Sequence, residues 1–168
     1  MKRIFFALLI STLGFAGPAM ADKSTRLGTY KDWSSYTFLE QGSQVCYSAS
    51  QPTKSAGDYK KRDDIFVFIT HRPSAKEFNV VSFLAGYDYK SDSEVTVDVD
   101  GKKTFTLFVQ GDRAWAADTA TDAAIVEAMK KGKKLTVKGT SKRGTLTTDT
   151  YSLYGVSKAL KAIDSSCQ

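Results

Sequence analysis

The sequence predicts an all-β domain: an antiparallel β-sandwich with one internal helix and a short C-terminal helix. Three observations predict it. Val95, Val97 and Val99, then Phe105, Leu107 and Val109, recur at every second position, the period of a half-buried strand pair. Strand-like runs follow one another with Gly- and Asp-containing turns between them. Helical spacing occurs in two stretches, so regular β-α alternation is absent and a parallel sheet is disfavoured. With 168 residues the chain has room for one ordinary domain, placed at 33–168. Hydrophobic residues at 42% and charged residues at 25% are the proportions of a folded globular protein.

Residues 22–32 are polar and read as a flexible segment. Ser35-Tyr36-Thr37-Phe38-Leu39 and Gln44-Val45-Cys46-Tyr47-Ser48 are short strands about a Gln41-Gly42 turn. Residues 51–63 show no apolar period and read as a long loop. Ile65-Phe66-Val67-Phe68-Ile69 is continuously β-prone, as in a strand buried on both faces, and Arg72-Pro73 ends it. Residues 78–87 form the next strand. Val95, Val97 and Val99 alternate with Thr96 and Asp98, Asp100-Gly101 signals a hairpin, and Phe105, Leu107 and Val109 alternate on the return. Gly111-Asp112 turns the chain toward Trp115. Thr121-Asp122 can cap a helix over 122–131, with Gly132 at its C-cap and Lys130 and Lys131 in its last turn. Leu135 and Val137 continue as a strand. Residues 146–153 form the last strand, and Val156, Leu160 and Ile163 place one stripe on a terminal helix. The total is about eight strands.

Ahead of this domain, residues 1–21 read as a cleaved secretory signal. Lys2 and Arg3 precede the apolar run 4–10, and Ala19-Met20-Ala21 has the small-x-small form of a cleavage site. An uncleaved anchor is the competing reading, but the apolar run is shorter than the ~20 residues a spanning helix needs. Cleavage would start the mature chain at Asp22 and take the net charge from +6 to +4. No later segment is long and apolar enough to span a membrane. Cys46 and Cys167 are the two cysteines, and in an exported protein they are expected to form one disulfide. It would close a loop of roughly 120 residues, restricting the unfolded chain by ~4–5 kcal/mol in the chain-entropy account. A reactive thiol is the alternative, with His71 as its only possible histidine partner.

Candidate chemistry is sparse. Two cysteines and one histidine cannot make a four-ligand Cys/His zinc site. No G-x-S-x-G elbow is present, and a Ser/His/Asp triad would need His71, better read as a structural imidazole at a strand end. Asp98-Val99-Asp100-Gly101 is hairpin chemistry, and no calcium loop with its terminal Glu follows. Metal, cofactor and enzymatic activity are therefore not expected. Basic residues cluster at Lys60-Lys61-Arg62, at Lys130, Lys131, Lys133 and Lys134, and at Lys142-Arg143. They are candidate surface-binding residues for an anionic envelope or host-surface partner if they converge, and otherwise a solvated surface. Nucleic acid is a poor partner for an exported chain. The aromatics, seventeen once the signal is removed, read mostly as core, Trp115 among them.

The run Gly139-Thr140-Ser141-Lys142-Arg143-Gly144-Thr145, then 149–155 and a terminal helix into Cys167, resembles the invasion-associated locus B family of exported Gram-negative proteins. Thr70-His71-Arg72-Pro73, Ala85-Gly86-Tyr87, Ala114-Trp115-Ala116 and Ala128-Met129-Lys130-Lys131-Gly132 agree in order over roughly 33–167. The resemblance implies an immunoglobulin-like sandwich, an extracytoplasmic location (periplasm or outer surface), no cofactor and no catalytic motif. It implies a binding module contributing to adhesion or invasion in pathogens. The alternative is a periplasmic envelope-maintenance or inhibitor protein with no host role. Arg72 and Arg143 stand as binding residues or as donors to buried carbonyls, the second being preferred.

Overall fold

The computed structural model describes residues 24–168. The signal at 1–21 and the mature start at Asp22 lie outside these residues. Eleven strands make one antiparallel sheet: β1 (Thr25–Tyr30), β2 (Trp33–Glu40), β3 (Ser43–Ser50), β4 (Lys54–Gly57), β5 (Phe66–Arg72), β6 (Glu77–Leu84), β7 (Glu94–Val99), β8 (Lys103–Gln110), β9 (Arg113–Trp115), β10 (Lys134–Thr140) and β11 (Leu146–Ser152). Two helices accompany them, α1 (Thr119–Lys131) and α2 (Val156–Ser166). The spatial order is β1-β2-β3-β5-β6-β9-β8-β7-β10-β11-β4.

The sheet folds over its own core. Trp33, Val67, Ile69, Val81 and Phe83 from one half meet Val95, Val97, Leu135, Val137 and Tyr151 from the other in a single apolar cluster. Its two ends also touch. Trp33 Nε1 donates to the Ser152 carbonyl at 3.0 Å, and Asp32 N donates to the Tyr154 carbonyl at 3.3 Å. The sandwich is thus one continuous sheet folded into facing layers, mainly β as the sequence predicts.

Three strands were not expected. Residues 25–30, read as flexible, pair with β2, and Leu27 and Tyr30 pack on the core. Residues 54–57, read as loop, pair with the outer side of β11. Both are edge strands, where one exposed side removes the need for an apolar pattern. The third, β9, is three residues long and bridges β6 and β8. The hairpin at 95–109 is as predicted: Asp100 and Gly101 take φ of 56° and 68°, and Lys102 N donates to the Val99 carbonyl at 3.0 Å.

The helix α1 begins earlier than expected. Asp118 is its cap, accepting from Thr121 N at 2.7 Å. Asp122 instead turns inward and accepts from Val81 N in β6 at 2.9 Å. Gly132 is the C-cap residue but is extended, not left-handed. Its lack of a Cβ has a packing reason, since a Cβ there would stand 2.5 Å from Val99 Cγ1 and 2.9 Å from Leu153 Cδ1.

On α2 the stripe Val156, Leu160 and Ile163 is buried as predicted, joined by Ala159. This face packs on β1–β3, where the buried Ser35 hydroxyl donates to the Ala159 carbonyl at 3.0 Å. Cys167 follows the helix and is bonded to Cys46 of β3, with Cα atoms 6.0 Å apart.

Candidate functional site

Register decides which side chains leave the core. Residues directly opposite on antiparallel strands share a face. Arg26 faces Tyr36, and Tyr36 faces Tyr47. Phe38 faces Val45, Tyr47 faces Thr70, and Ala49 faces Phe68. Phe68 faces Ser82, Phe66 faces Leu84, and Ser82 and Phe108 both face Trp115. The core side of the same strands carries Ser35, Ser48, Val67, Ile69, His71, Val81 and Phe83. The aromatic residues therefore stand on the outer face of β1-β2-β3-β5-β6-β9-β8. Seven strands at the usual spacing give a face about 29 Å across.

The rings pack on one another. Tyr36 and Tyr47 stack with centroids 5.1 Å apart. Phe38 and Phe68 meet Tyr47 edge-on at 5.9 and 6.0 Å, and Phe66 lies 5.4 Å from Phe68. Burial among its neighbours raises the Tyr47 phenol. Two guanidiniums complete the platform, Arg26 over Tyr36 at 5.5 Å and Arg113 over Phe68 at 5.1 Å. This corrects the expectation that most aromatics, Trp115 included, are core. Trp33, Phe83, Tyr89 and Tyr151 are the buried rings. It also explains the continuous run Ile65–Ile69: the strand alternates core and outer face, and the outer face is apolar too.

A shallow cleft of about 340 Å³ lies in this face, lined by Phe38, Tyr47, Phe68 and Trp115, with Arg72 and Arg113 beside them. Thr70 and the buried Ser82 add hydroxyls. Arg72 Nε donates to Glu40 at 3.1 Å. Arg113 has no carboxylate partner among the described residues, and its Nη1 reaches the Ser82 hydroxyl at 3.5 Å.

A second concavity, a groove of about 950 Å³, lies between the 58–63 loop and the 141–145 turn. The structure brings Lys142 and Arg143 together with Lys60 and Lys61 here. Asp58, Asp63 and Asp88 line the same groove and offset most of that charge. Lys130, Lys131, Lys133 and Lys134 are not part of it. They sit where α1 ends and β10 begins, and the seven residues of β10 put them ~20 Å from the 141–145 turn. Lys130 and Lys131 pair with Glu127 at 2.9 and 3.8 Å. The backbone N–H groups of Lys133 and Lys134 donate to Asp100. The basic clusters therefore do not form one patch.

Under the groove lies Arg62, read from the sequence as part of a surface basic cluster with Lys60 and Lys61 but buried and paired in the structure. Arg62 Nη1 and Nη2 donate to the two Asp149 oxygens, each at 2.8 Å, and its Nε and Nη2 donate to the Ala85 carbonyl at 2.9 and 2.6 Å. Both side chains are buried. The rings of Tyr59 and Tyr87 flank the guanidinium at 5.1 and 4.8 Å. Burial opposes the charge on Arg62, but the Asp149 pair outweighs it and holds its pKa above the ordinary value. Burial raises the phenols of Tyr87 and Tyr89. Gly86 closes the cluster at φ +70°, where a Cβ would strike the Asp63 carbonyl. Carbonyl satisfaction thus falls to Arg62; Arg72 pairs with Glu40, and Arg143 is exposed in a turn.

His71 is buried, with both nitrogens engaged. Nδ1 accepts from Asn79 N at 3.0 Å, so the proton belongs on Nε2, 2.8 Å from Asp164. This is the structural imidazole expected. Among the described residues, no three His, Cys, Asp or Glu side chains come together as metal ligands, and no helix is long and apolar enough to cross a membrane.

The fold and its face define a disulfide-closed antiparallel β-sandwich with an aromatic-arginine outer face. The particular family follows from comparison. The model of the invasion associated locus B (IalB) protein family matches residues 33–164, and the chain belongs to that family. A similar solved structure is the crystal structure of invasion associated protein b from Bartonella henselae. It is 21% identical with a TM-score of 0.58, over 84% of this chain and 96% of that one. That likeness bears on the fold. No curated protein matches.

Proposed function

We propose that this chain is an exported, non-enzymatic binding module of the Gram-negative envelope, engaging a protein partner through the aromatic outer face. In a pathogen that engagement serves adhesion to, or invasion of, host cells. The observation that carries the reading is the run of outward rings Tyr36, Phe38, Tyr47, Phe68, Trp115 and Phe108 with Arg26, Arg72 and Arg113 among them. Aromatic residues and arginine are the types enriched at the energetic centres of protein interfaces. A contiguous apolar patch of this kind on a monomer is usually functional. The family's name supports the invasion role, and the disulfide suits an oxidising compartment.

Protease shaving of intact cells, with outer-membrane-permeabilised cells as control, tests location. Adherence of cells carrying Tyr47→Asp tests the face. The expected result is cleavage on intact cells and loss of adherence in the variant at equal protein level. Cleavage only after permeabilisation would overturn the host-facing role and leave periplasmic envelope maintenance or inhibition. Unchanged adherence with Tyr47→Asp would overturn the face.

A further inference from the structure

We infer that the cleft in the aromatic face receives a carboxylate from the partner: an acidic side chain flanked by apolar residues, seated against Arg113. The inference rests on the docking reading above and names the chemistry the cleft selects.

Arg113 is the residue that specifies the ligand. Its Cζ stands 5.1 Å from the Phe68 centroid and its Nη1 3.5 Å from the Ser82 hydroxyl, half-buried and without a carboxylate within reach among the described residues. A guanidinium beside an aromatic ring with donors left unpaired can take a carboxylate in a bidentate pair. Around it the rings of Phe38, Tyr47, Phe68 and Trp115 supply a partly apolar surrounding, which strengthens such a bond relative to open water. The Thr70 and Ser82 hydroxyls supply the few convergent polar groups a binding cleft needs.

Charge selects the occupant. The cleft is lined by Arg72 and Arg113 and by no carboxylate, with Glu40, Glu77 and Glu94 standing further out on the same face, so a second copy seated cleft to cleft would meet it with like charges. Insertion into a lipid surface is disfavoured for another reason. The rings of the cleft pack edge-on against one another and are half-buried, so none stands out as a protruding wedge. An acidic, apolar protein segment complements both the charge and the aromatic lining.

The test uses two small probes on the isotope-labelled chain, followed by amide resonances. N-acetyl-phenylalanine carries a ring and a carboxylate, and N-acetylphenylalaninamide is its neutral counterpart. The acid is expected to shift the amides of Thr70, Ser82 and Arg113 with weak saturable affinity. The amide should bind about tenfold more weakly, and Arg113→Gln should abolish that preference. Arg113→Lys should keep part of it, since the charge remains and the fork is lost. Equal binding of both probes, no binding, or shifts mapping elsewhere would overturn the inference. So would sedimentation showing a dimer of the purified chain that Tyr47→Asp dissolves, or flotation on anionic vesicles that Tyr47→Asp abolishes.

A photo-crosslinker at Phe108 separates the two levels of the argument. Protein adducts in cells, with no carboxylate preference in the cleft, would overturn the cleft and leave the docking face standing. Acid binding with no protein adducts would overturn the docking face and the protein source of the carboxylate.

Discussion

Arg62 and Asp149 form an ion pair that leaves neither charge in water, and such pairs respond asymmetrically to mutation. Asp149→Asn removes one charge and strands the other among Tyr59, Tyr87 and the Ala85 carbonyl. The expected loss is about 3–5 kcal/mol, read from urea unfolding. Asp122 gives the opposite kind of prediction. Burial raises its pKa above the ordinary 3.8, and the Val81 N–H only partly offsets this. The folded state therefore holds its proton more tightly than the unfolded state. The associated stability is present below the ordinary carboxylate pKa and is lost as pH rises through the raised one. Asp122→Asn keeps an acceptor for Val81 and carries no charge. Its stability relative to the parent should rise from pH 3 to pH 7, measured by urea midpoints across that range. Neither residue announces itself in the sequence. Arg62 lies in a polar run, and its partner is 87 positions away. Asp122 follows a threonine in a way that reads as a helix cap.

Elements with a strong internal period were legible, and elements defined by their neighbours were not. The Val95–Val109 hairpin carries its pattern locally, as does the α2 stripe. β1 and β4 gain their strand conformation from a paired neighbour on one side, so polar residues suffice there. β9 has three residues, too few for any period. The outer face was misread because an aromatic in a strand looks the same whether it points in or out. Only register resolves the direction, and register depends on pairings far apart in sequence. The α2 element is held by its stripe and by the disulfide, and the two can be tested apart. Leu160 is fully buried, so Leu160→Ala should cost about 2–5 kcal/mol by thermal or urea unfolding. The double variant Cys46→Ala, Cys167→Ala should lose about 2–5 kcal/mol, with the far-ultraviolet dichroism of the native fold retained at low temperature.

At the scale of the molecule, the core and the proposed recognition face occupy opposite sides of one layer. The inward side of β2-β3-β5-β6 is core, and the outward side is the aromatic platform. Changes on the platform should therefore alter binding with little effect on folding. Phe108 is 48% exposed, and Phe108→Ser is expected to shift unfolding free energy by no more than about 0.5 kcal/mol while weakening partner engagement. Paired unfolding and adherence measurements on that variant check both halves. The disulfide carries a consequence in time. Its two sulfurs are 121 residues apart, and ribosomes add about 5–20 residues each second. In a chain that emerges N-terminus first, Cys46 waits on the order of ten seconds for its partner. With two cysteines in 168 residues, it meets no wrong thiol of its own chain during that wait. Shuffling between rival pairings, which slows the maturation of cysteine-rich exported proteins, has no substrate here. An oxidant that reaches Cys46 early can only hold it until Cys167 arrives.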